Sequence, residues 1–326
     1  MIVDLPDTTT SKISKSLVKI REEGGAVALG RVLTLVISTR LGREEEAIEA
    51  ANDASREHPM RVIVVSIGNG GAPGEVSRLD AQIRVGGDAG ASEVVVLRAY
   101  GEAATDEEGL VTGLLLPDAP VVAWWPEEAP AVVSQSSLGR IAQRRITDAA
   151  AQADPRGFLD HLAETYRPGD TDFSWTRLTL WRAQLAAVLD QPPFEPVTAI
   201  EVRGAADSPS TTLLAAWLQL QLQVPAACEL AEHTAVGGIH GVRLFRESGV
   251  IELEREHDST AVLMQPGQPR QDISLPRRGL RDCLAEELRR LDPDDLFGEV
   301  IRFGVSELAE PSALPAGGRK GDGNGI

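Results

Sequence analysis

Residues 31–67 read RVLTLVISTRLGREEEAIEAANDASREHPMRVIVVSI, and this stretch decides the fold class. Residues 31–39 are rich in β-branched and apolar side chains and, with the apolar segment 25–29 before them, predict a buried strand. Arg43-Glu44-Glu45-Glu46 then brings acidic charge to the first turn of a helix, where the helix dipole favours it. Ala47, Ile48 and Ala51 supply that helix with a short apolar stripe. Pro59 ends it, because proline disfavours α geometry in the residue before it. Residues 61–67 form a second strand that is apolar throughout.

Working outward, the period changes. Residues 80–85 alternate polar and apolar, as a half-exposed strand does, and 93–99 are again continuously apolar. Segments 110–116 and 121–125 are bounded by Pro117, Pro120 and Pro126. Residues 136–151 predict a helix with Leu138, Ile141, Ala142 and Ile146 on one side. Buried parallel-type strands beside alternating antiparallel-type ones imply an α/β layer domain with a mixed sheet. Phe158, Leu159 and Leu162 mark a short helix, and Thr171 opens a longer one through Leu178, Trp181, Leu185 and Val188, ended by Pro192-Pro193. The second half reopens with a strand at 197–202. Asp207-Ser208-Pro209 is a cap-then-proline helix start. Residues 242–246 and 250–254 predict a hairpin turned at Ser248-Gly249, with further strands at 259–264 and 272–275. Two helices follow, the last starting at Asp292-Pro293.

The expected fold is therefore α/β (α+β) with two domains. They are an N-terminal mixed-sheet α/β layer domain and a C-terminal α/β domain with antiparallel strands, joined by a helical segment. The boundaries are a mobile arm over 1–11, the first domain over 12–166, connector and second domain over 167–308, and a disordered tail over 309–326.

Composition excludes several functions. With 32 basic against 49 acidic side chains, the net charge is −17 over 326 residues. Such a body repels phosphate backbones and anionic lipid, so neither nucleic acid nor a membrane is expected as partner. No run approaches the ~20 apolar residues of a membrane helix, and no cleavage site of a signal peptide follows the apolar segment near residue 30. The two cysteines, Cys228 and Cys283, make no disulfide framework, and the chain is expected in the cytoplasm.

The search for chemistry assembles no catalytic set. Gly68-Asn69-Gly70-Gly71-Ala72-Pro73-Gly74 follows a strand, but Pro73 stands where a dinucleotide loop would open its helix, and a tight connection is the simpler reading. His233 and His240 flank a Gly-Gly turn and share no helix face, and 254–258 reads as a solvated hairpin end, so no metal is expected. No Gly-x-Ser-x-Gly elbow exists, and His161 beside Asp160 reads as a surface residue. Cys283 shares a helical stripe with Leu280, Leu284 and Leu288 and reads as core. What stands out is tryptophan with arginine. Aromatic residues are only 4% of the chain, yet Trp124-Trp125 sits between prolines and Trp175-Thr176-Arg177 leads to Trp181-Arg182. Such residues anchor protein interfaces. They also pack cores with arginine stacked over the ring, a reading that stands beside the first for Trp175 and Trp181, whereas the prolines flanking Trp124-Trp125 suggest a loop.

Four ordered blocks carry a resemblance: Ser55-Arg56-Glu57-His58-Pro59-Met60-Arg61, Pro120-Val121-Val122-Ala123-Trp124-Trp125-Pro126, residues 138–146 from Leu138 to Ile146, and residues 169–182 from Gly169 to Arg182. Together they resemble the OpcA family of glucose-6-phosphate dehydrogenase assembly proteins. The resemblance implies a non-enzymatic, cofactor-free activator whose partner is that dehydrogenase. The residues expected to bind it, or to scaffold the surface that does, are Arg56, His58, Arg61, Trp124, Trp125, Arg144, Arg145, Trp175, Arg177, Trp181 and Arg182. The alternative is a sugar-phosphate or nucleotide-binding protein in which Arg56, Arg61, Arg144 and Arg145 grip an anion.

Overall fold

The computed structural model describes residues 1–23, 32–68, 76–86, 93–231 and 237–308. In the first half, β1 (Ile2–Leu5) and α1 (Thr10–Glu23) precede the decisive unit: β2 (Leu33–Arg40), α2 (Glu44–Ala54) and β3 (Met60–Ile67). Then come β4 (Arg78–Val85), β5 (Glu93–Tyr100), α3 (Glu107–Thr112), β6 (Val121–Trp124), α4 (Ser137–Ile141), β7 (Arg144–Thr147), α5 (Pro155–Thr165) and β8 (Asp170–Asp172). These strands form one eight-stranded sheet in the order β1-β4-β5-β3-β2-β6-β7-β8. All pairings from β5 to β8 are parallel, while β4 is antiparallel to both β5 and β1. Numbering the six parallel strands in chain order gives 3-2-1-4-5-6. That is the doubly wound order, whose switch point lies between β2 and β6.

The connector is α6 (Phe173–Thr176) and α7 (Thr179–Leu189). The second half contains β9 (Ala199–Ala205), α8 (Pro209–Leu222), β10 (Ala226–Ala231), β11 (Ile239–Arg246), β12 (Gly249–Arg255), β13 (Thr260–Met264) and β14 (Gln271–Ser274), closed by α9 (Leu280–Glu287) and α10 (Asp295–Glu299). Its six strands run β10-β9-β11-β12-β13-β14, antiparallel apart from the β9–β10 pair. Helix α8 buries Leu213, Leu214 and Leu218 under Ile200, Val202, Val242, Leu244 and Leu253. The opposite face carries half-exposed Glu201, Arg203, Arg243, Glu252 and Glu254, joined in ion pairs across the strands.

Two hydrophobic clusters hold the molecule. The larger runs through both halves, from Val36 and Ile63 to Trp175, Leu213 and Phe297. The smaller lies under α2 on the other side of the first sheet and takes in Cys283, Leu284 and Leu288 of α9. The last helices of the chain thus fold back onto the first domain.

The α/β, two-sheet expectation holds, as do the α8 start at Pro209, the burial of Cys283 and the hairpin, although it turns at Glu247-Ser248, one residue before the expected Ser248-Gly249. Other expectations need correction. The segment 1–11 is no free arm, since β1 pairs with β4 from Ile2↔Arg84 to Leu5↔Ala81. Leu110 lies on α3, capped by Asp106, whose carboxylate accepts the Gly109 N–H. The helix expected over 136–151 stops at Ile141, and Arg144–Thr147 is a buried strand. The long helix expected from Thr171 begins as β8, whose Asp172 caps α6. A boundary at 166/167 would separate β8 from β7, its partner in the sheet. The last helix starts at Asp295, capped by Asp294, two residues beyond Asp292-Pro293. The upstream strand segment 25–29, the glycine loop beyond Gly68, His233 and the tail from 309 lie outside the described residues.

Candidate functional site

A doubly wound sheet offers a ligand crevice outside the carboxyl ends of its strands at the switch point, where a helix N-terminus ordinarily receives phosphate. Here that place lies beyond β2 and β6, at the start of α2. Glu44, Glu45 and Glu46 fill the first turn of α2. Glu44 is buried and accepts from the Ser66 hydroxyl at 2.7 Å and from Arg98 Nε at 3.2 Å. Burial alone would raise its pKa, but the Ser66 bond, backbone N–H groups and Arg98 outweigh it and hold the carboxyl below its ordinary value. Across the crevice, Glu127 accepts from the Thr39 hydroxyl (3.3 Å) and faces Arg43 (3.8 Å), and Arg40 pairs with Glu128. Glu107 bridges the hydroxyls of Ser38 (2.6 Å) and Ser137 (2.9 Å). A dinucleotide's phosphates would meet an ionised Glu44 where the fold normally presents bare N–H groups, so these residues do not fit that cofactor.

The candidate residues lie elsewhere, and most are internal. Trp124 is 0% exposed and Trp125 3%, so the proline-flanked pair is core and not an exposed loop. Trp124 packs on Phe173 with centroids 5.5 Å apart. Trp175 donates its Nε1 proton to Asp294 Oδ2 at 2.9 Å, stands 5.8 Å from the Phe297 ring, and carries the Arg182 guanidinium 3.7 Å above its face. Trp181 is buried as well.

Four of the arginines are likewise committed, each to a different acid. Arg61 bonds Glu93 at 2.7 Å and the Leu114 carbonyl at 2.6 Å. Arg145 bonds Asp170 at 2.5 Å and the Ala142 carbonyl at 2.8 Å. Arg177 forks onto Asp148 at 2.7 and 2.6 Å. Arg144 reaches from β7 to Glu287 on α9 and to the Asp292 carbonyl. Arg56 and His58 alone of the candidates lie on the outer loop after α2, Arg56 exposed and His58 half-buried. Arg56, Arg61, Arg144 and Arg145 therefore do not converge on an anion, which corrects the alternative reading of them.

The fourth sequence block owes its pattern to the chain turn it builds. Gly169 has φ +98°, and a Cβ there would come within 2.4 Å of the Gln143 carbonyl, so glycine is required. Asp170 then engages Arg145. Asp172, fully buried, accepts from the Thr147 hydroxyl (2.6 Å) and the N–H groups of Ala149 and Ser174 (both 2.8 Å). Burial, with Asp148 nearby, raises its pKa.

Sequence reasoning missed Glu287, one of three acids on α9 and not distinguishable by pattern from its neighbour Glu286. It also missed the convergence of Arg255, Arg277 and Arg278, although Pro276-Arg277-Arg278 was a local basic signal. Among the described residues no group of His, Cys, Asp and Glu is placed to hold a metal, and no helix is long and apolar enough to cross a membrane. Burial pushes the Cys283 thiol up to about 12 and raises Cys228 too. Since the thiolate is the nucleophile, both should be sluggish. A chromogenic disulfide reagent at mildly alkaline pH should titrate neither in the native protein within minutes and both after denaturation. Rapid native labelling of Cys283 would show that the packing of α9 on α2 opens readily.

Fold and seam define a two-domain α/β chain with a doubly wound first sheet, whose second domain reaches back by α9 and α10 to lock it. The chain belongs to the OpcA family of glucose-6-phosphate dehydrogenase assembly proteins. Residues 51–164 match the model of the glucose-6-phosphate dehydrogenase subunit N-terminal domain, and 168–301 that of its C-terminal domain. Both matches support a role in assembly and activation of that dehydrogenase. No curated protein matches the chain. Solved structures with a distant likeness include KijD10, a 3-ketoreductase from Actinomadura kijaniata (10% identity, TM-score 0.46, covering 85% of this chain and 97% of that one). Another is UDP-N-acetylglucosamine 3-dehydrogenase GnnA from Acidithiobacillus ferrooxidans (9%, 0.40, 84% and 96%). A third is an NAD binding oxidoreductase from Klebsiella pneumoniae (9%, 0.44, 85% and 96%). At these values the likeness carries nothing about activity.

Proposed function

We propose that this chain performs no chemistry of its own and acts by binding glucose-6-phosphate dehydrogenase and stabilising its active oligomer. The observation that carries the reading is the switch-point end of the first sheet, where Glu44, Glu107 and Glu127 stand in hydrogen bonds of their own. The net charge of −17 is in keeping with a protein partner and not with nucleic acid. Two cysteines without a disulfide suit a cytoplasmic setting.

In this reading Arg61, Trp124, Trp125, Arg144, Arg145, Trp175, Arg177, Trp181 and Arg182 form the scaffold, and Arg56 with His58 belongs to the surface it presents. An activator shifts its target only by its differential affinity for two states. Saturating amounts of this protein should therefore lower the dehydrogenase's apparent KM for sugar phosphate or move its sizing profile toward the larger oligomer. No change in rate, KM or size would sink the proposal. Replacing Arg56 and His58 together by Ala should weaken the complex about tenfold while leaving the unfolding midpoint in place.

A further inference from the structure

A cavity of about 170 Å³ lies where α7, the first turn of α8 and the end of the six-stranded sheet meet. One water needs only ~10–15 Å³, so the space admits a group the size of phosphate. Arg177, Arg255, Arg277 and Arg278 all line it, together with Trp181 and Ser210, and among the described residues none of its lining is a carboxylate.

The charges around it do not balance. Arg177 is neutralised by Asp148, and Arg278 by Glu286 at 2.6 Å. Arg277 pairs with Asp258 at 2.7 Å, but that carboxylate is 85% exposed and its field is weakened by solvent. Arg255 makes no ion pair among the described residues. Its Nη1 donates to the carbonyls of Leu275 (2.6 Å) and Asp258 (2.9 Å), and its guanidinium stands 5.4 Å from the Trp181 ring centroid. Burial and neighbouring Arg277 press its pKa down to about 10, and the nearby Asp258 carboxylate offsets this only in part. Ser210, in the first turn of the 14-residue α8, adds the positive end of a helix dipole.

We infer that this cavity binds a small phosphate-type dianion, inorganic phosphate or a phosphate monoester, gripped by the forks of Arg255 and Arg277. A tetrahedral dianion offers acceptors in several directions and so meets guanidiniums arriving from different elements, which a planar carboxylate does less well. The site lies apart from the carboxylates at the start of α2, and it does not depend on dehydrogenase binding.

Arginine-selective labelling of the whole chain with phenylglyoxal, mapped by peptide mass spectrometry, tests this without any partner. Inorganic phosphate and a hexose monophosphate are compared with sodium chloride at equal ionic strength. Labelling of Arg255 and Arg277 should slow several-fold with phosphate, while exposed Arg56 keeps its rate. Protection by the ester at lower concentration identifies a monoester as the occupant, and equal protection identifies the phosphate group alone. In R277Q, where the lost side chain lies at the surface, protection of Arg255 should need about tenfold more ligand, as loss of one charge-assisted bond implies. Unchanged Arg255 labelling with both anions, or protection equal to that given by chloride, overturns the inference. Because the readout uses this chain alone, that result would leave the activator reading untouched, and the reverse also holds.

Discussion

Trp124→Ala is expected to lower stability by about 3–5 kcal/mol, the range for truncating a large buried aromatic side chain. The ring is fully buried on β6, against Phe173 of α6 and among Leu35, Ile37, Val122 and Ile146. Its removal opens a cavity where the first sheet meets the connector, and β6 is parallel-paired on both sides, so relaxation is confined. The indole Nε1–H is buried with no hydrogen-bond partner among the described residues. Leaving a donor unsatisfied costs about 1–3 kcal/mol, so Trp124→Phe loses volume but relieves that cost and should lie well under half the penalty of Trp124→Ala. Urea unfolding of both variants checks the pair. Trp124→Ala of wild-type stability with lost dehydrogenase binding would return the ring to the contact surface.

The misplacement of Trp124 shows what the sequence could and could not convey. The β2-α2-β3 unit was legible because two apolar runs frame a helix with acidic residues in its first turn and a proline at its end. The antiparallel part of the second sheet was legible because its strands alternate, with Val242, Leu244, Ile251 and Leu253 turned inward, whereas the parallel edge strand β10 was not read. β7 was hidden for a physical reason. Its residues are Arg-Arg-Ile-Thr, all buried, and the arginines are tolerated only because Glu287 and Asp170 arrive from positions 143 and 25 residues away. A pattern of polar and apolar letters cannot register a charge made internal by a distant partner. Proline flanks misled at Trp124-Trp125 in a similar way, since Pro120 and Pro126 mark the ends of a short central strand as readily as a loop. The arginine cavity was invisible for the same cause, its four guanidiniums coming from three separate stretches of chain.

Glu287→Ala should cost about 3–5 kcal/mol, the range for breaking a buried ion pair by removing one partner. Both side chains of the Arg144–Glu287 pair are only 5% exposed. Arg144 spends Nε and Nη2 on a single Glu287 oxygen and Nη1 on the Asp292 carbonyl, while the other Glu287 oxygen accepts from the Thr176 hydroxyl. One carboxylate thereby ties together β7, the end of α6 and α9. Without it Arg144 keeps a charge it cannot shed, because guanidinium does not deprotonate in proteins. It is left with one carbonyl where it had a carboxylate, and the Thr176 hydroxyl keeps only its long contact to the Asp172 carbonyl at 3.4 Å. Removing both ends avoids the orphaned charge, so Arg144→Met with Glu287→Met should recover at least ~2 kcal/mol relative to Glu287→Ala. Thermal and urea unfolding of the two variants and the wild type give both quantities. A cost below about 1 kcal/mol for Glu287→Ala would be that of a solvated pair, and α9 would then be held to the first domain chiefly by Cys283, Leu284 and Leu288, with the exposed pairs Arg281–Asp53 and Arg289–Glu57 beside them. With the larger cost, the same substitution loosens the clasp of α9 on α2 near Arg56. Dehydrogenase binding should then weaken together with stability, in contrast to the Arg56 and His58 substitutions, which leave the clasp whole.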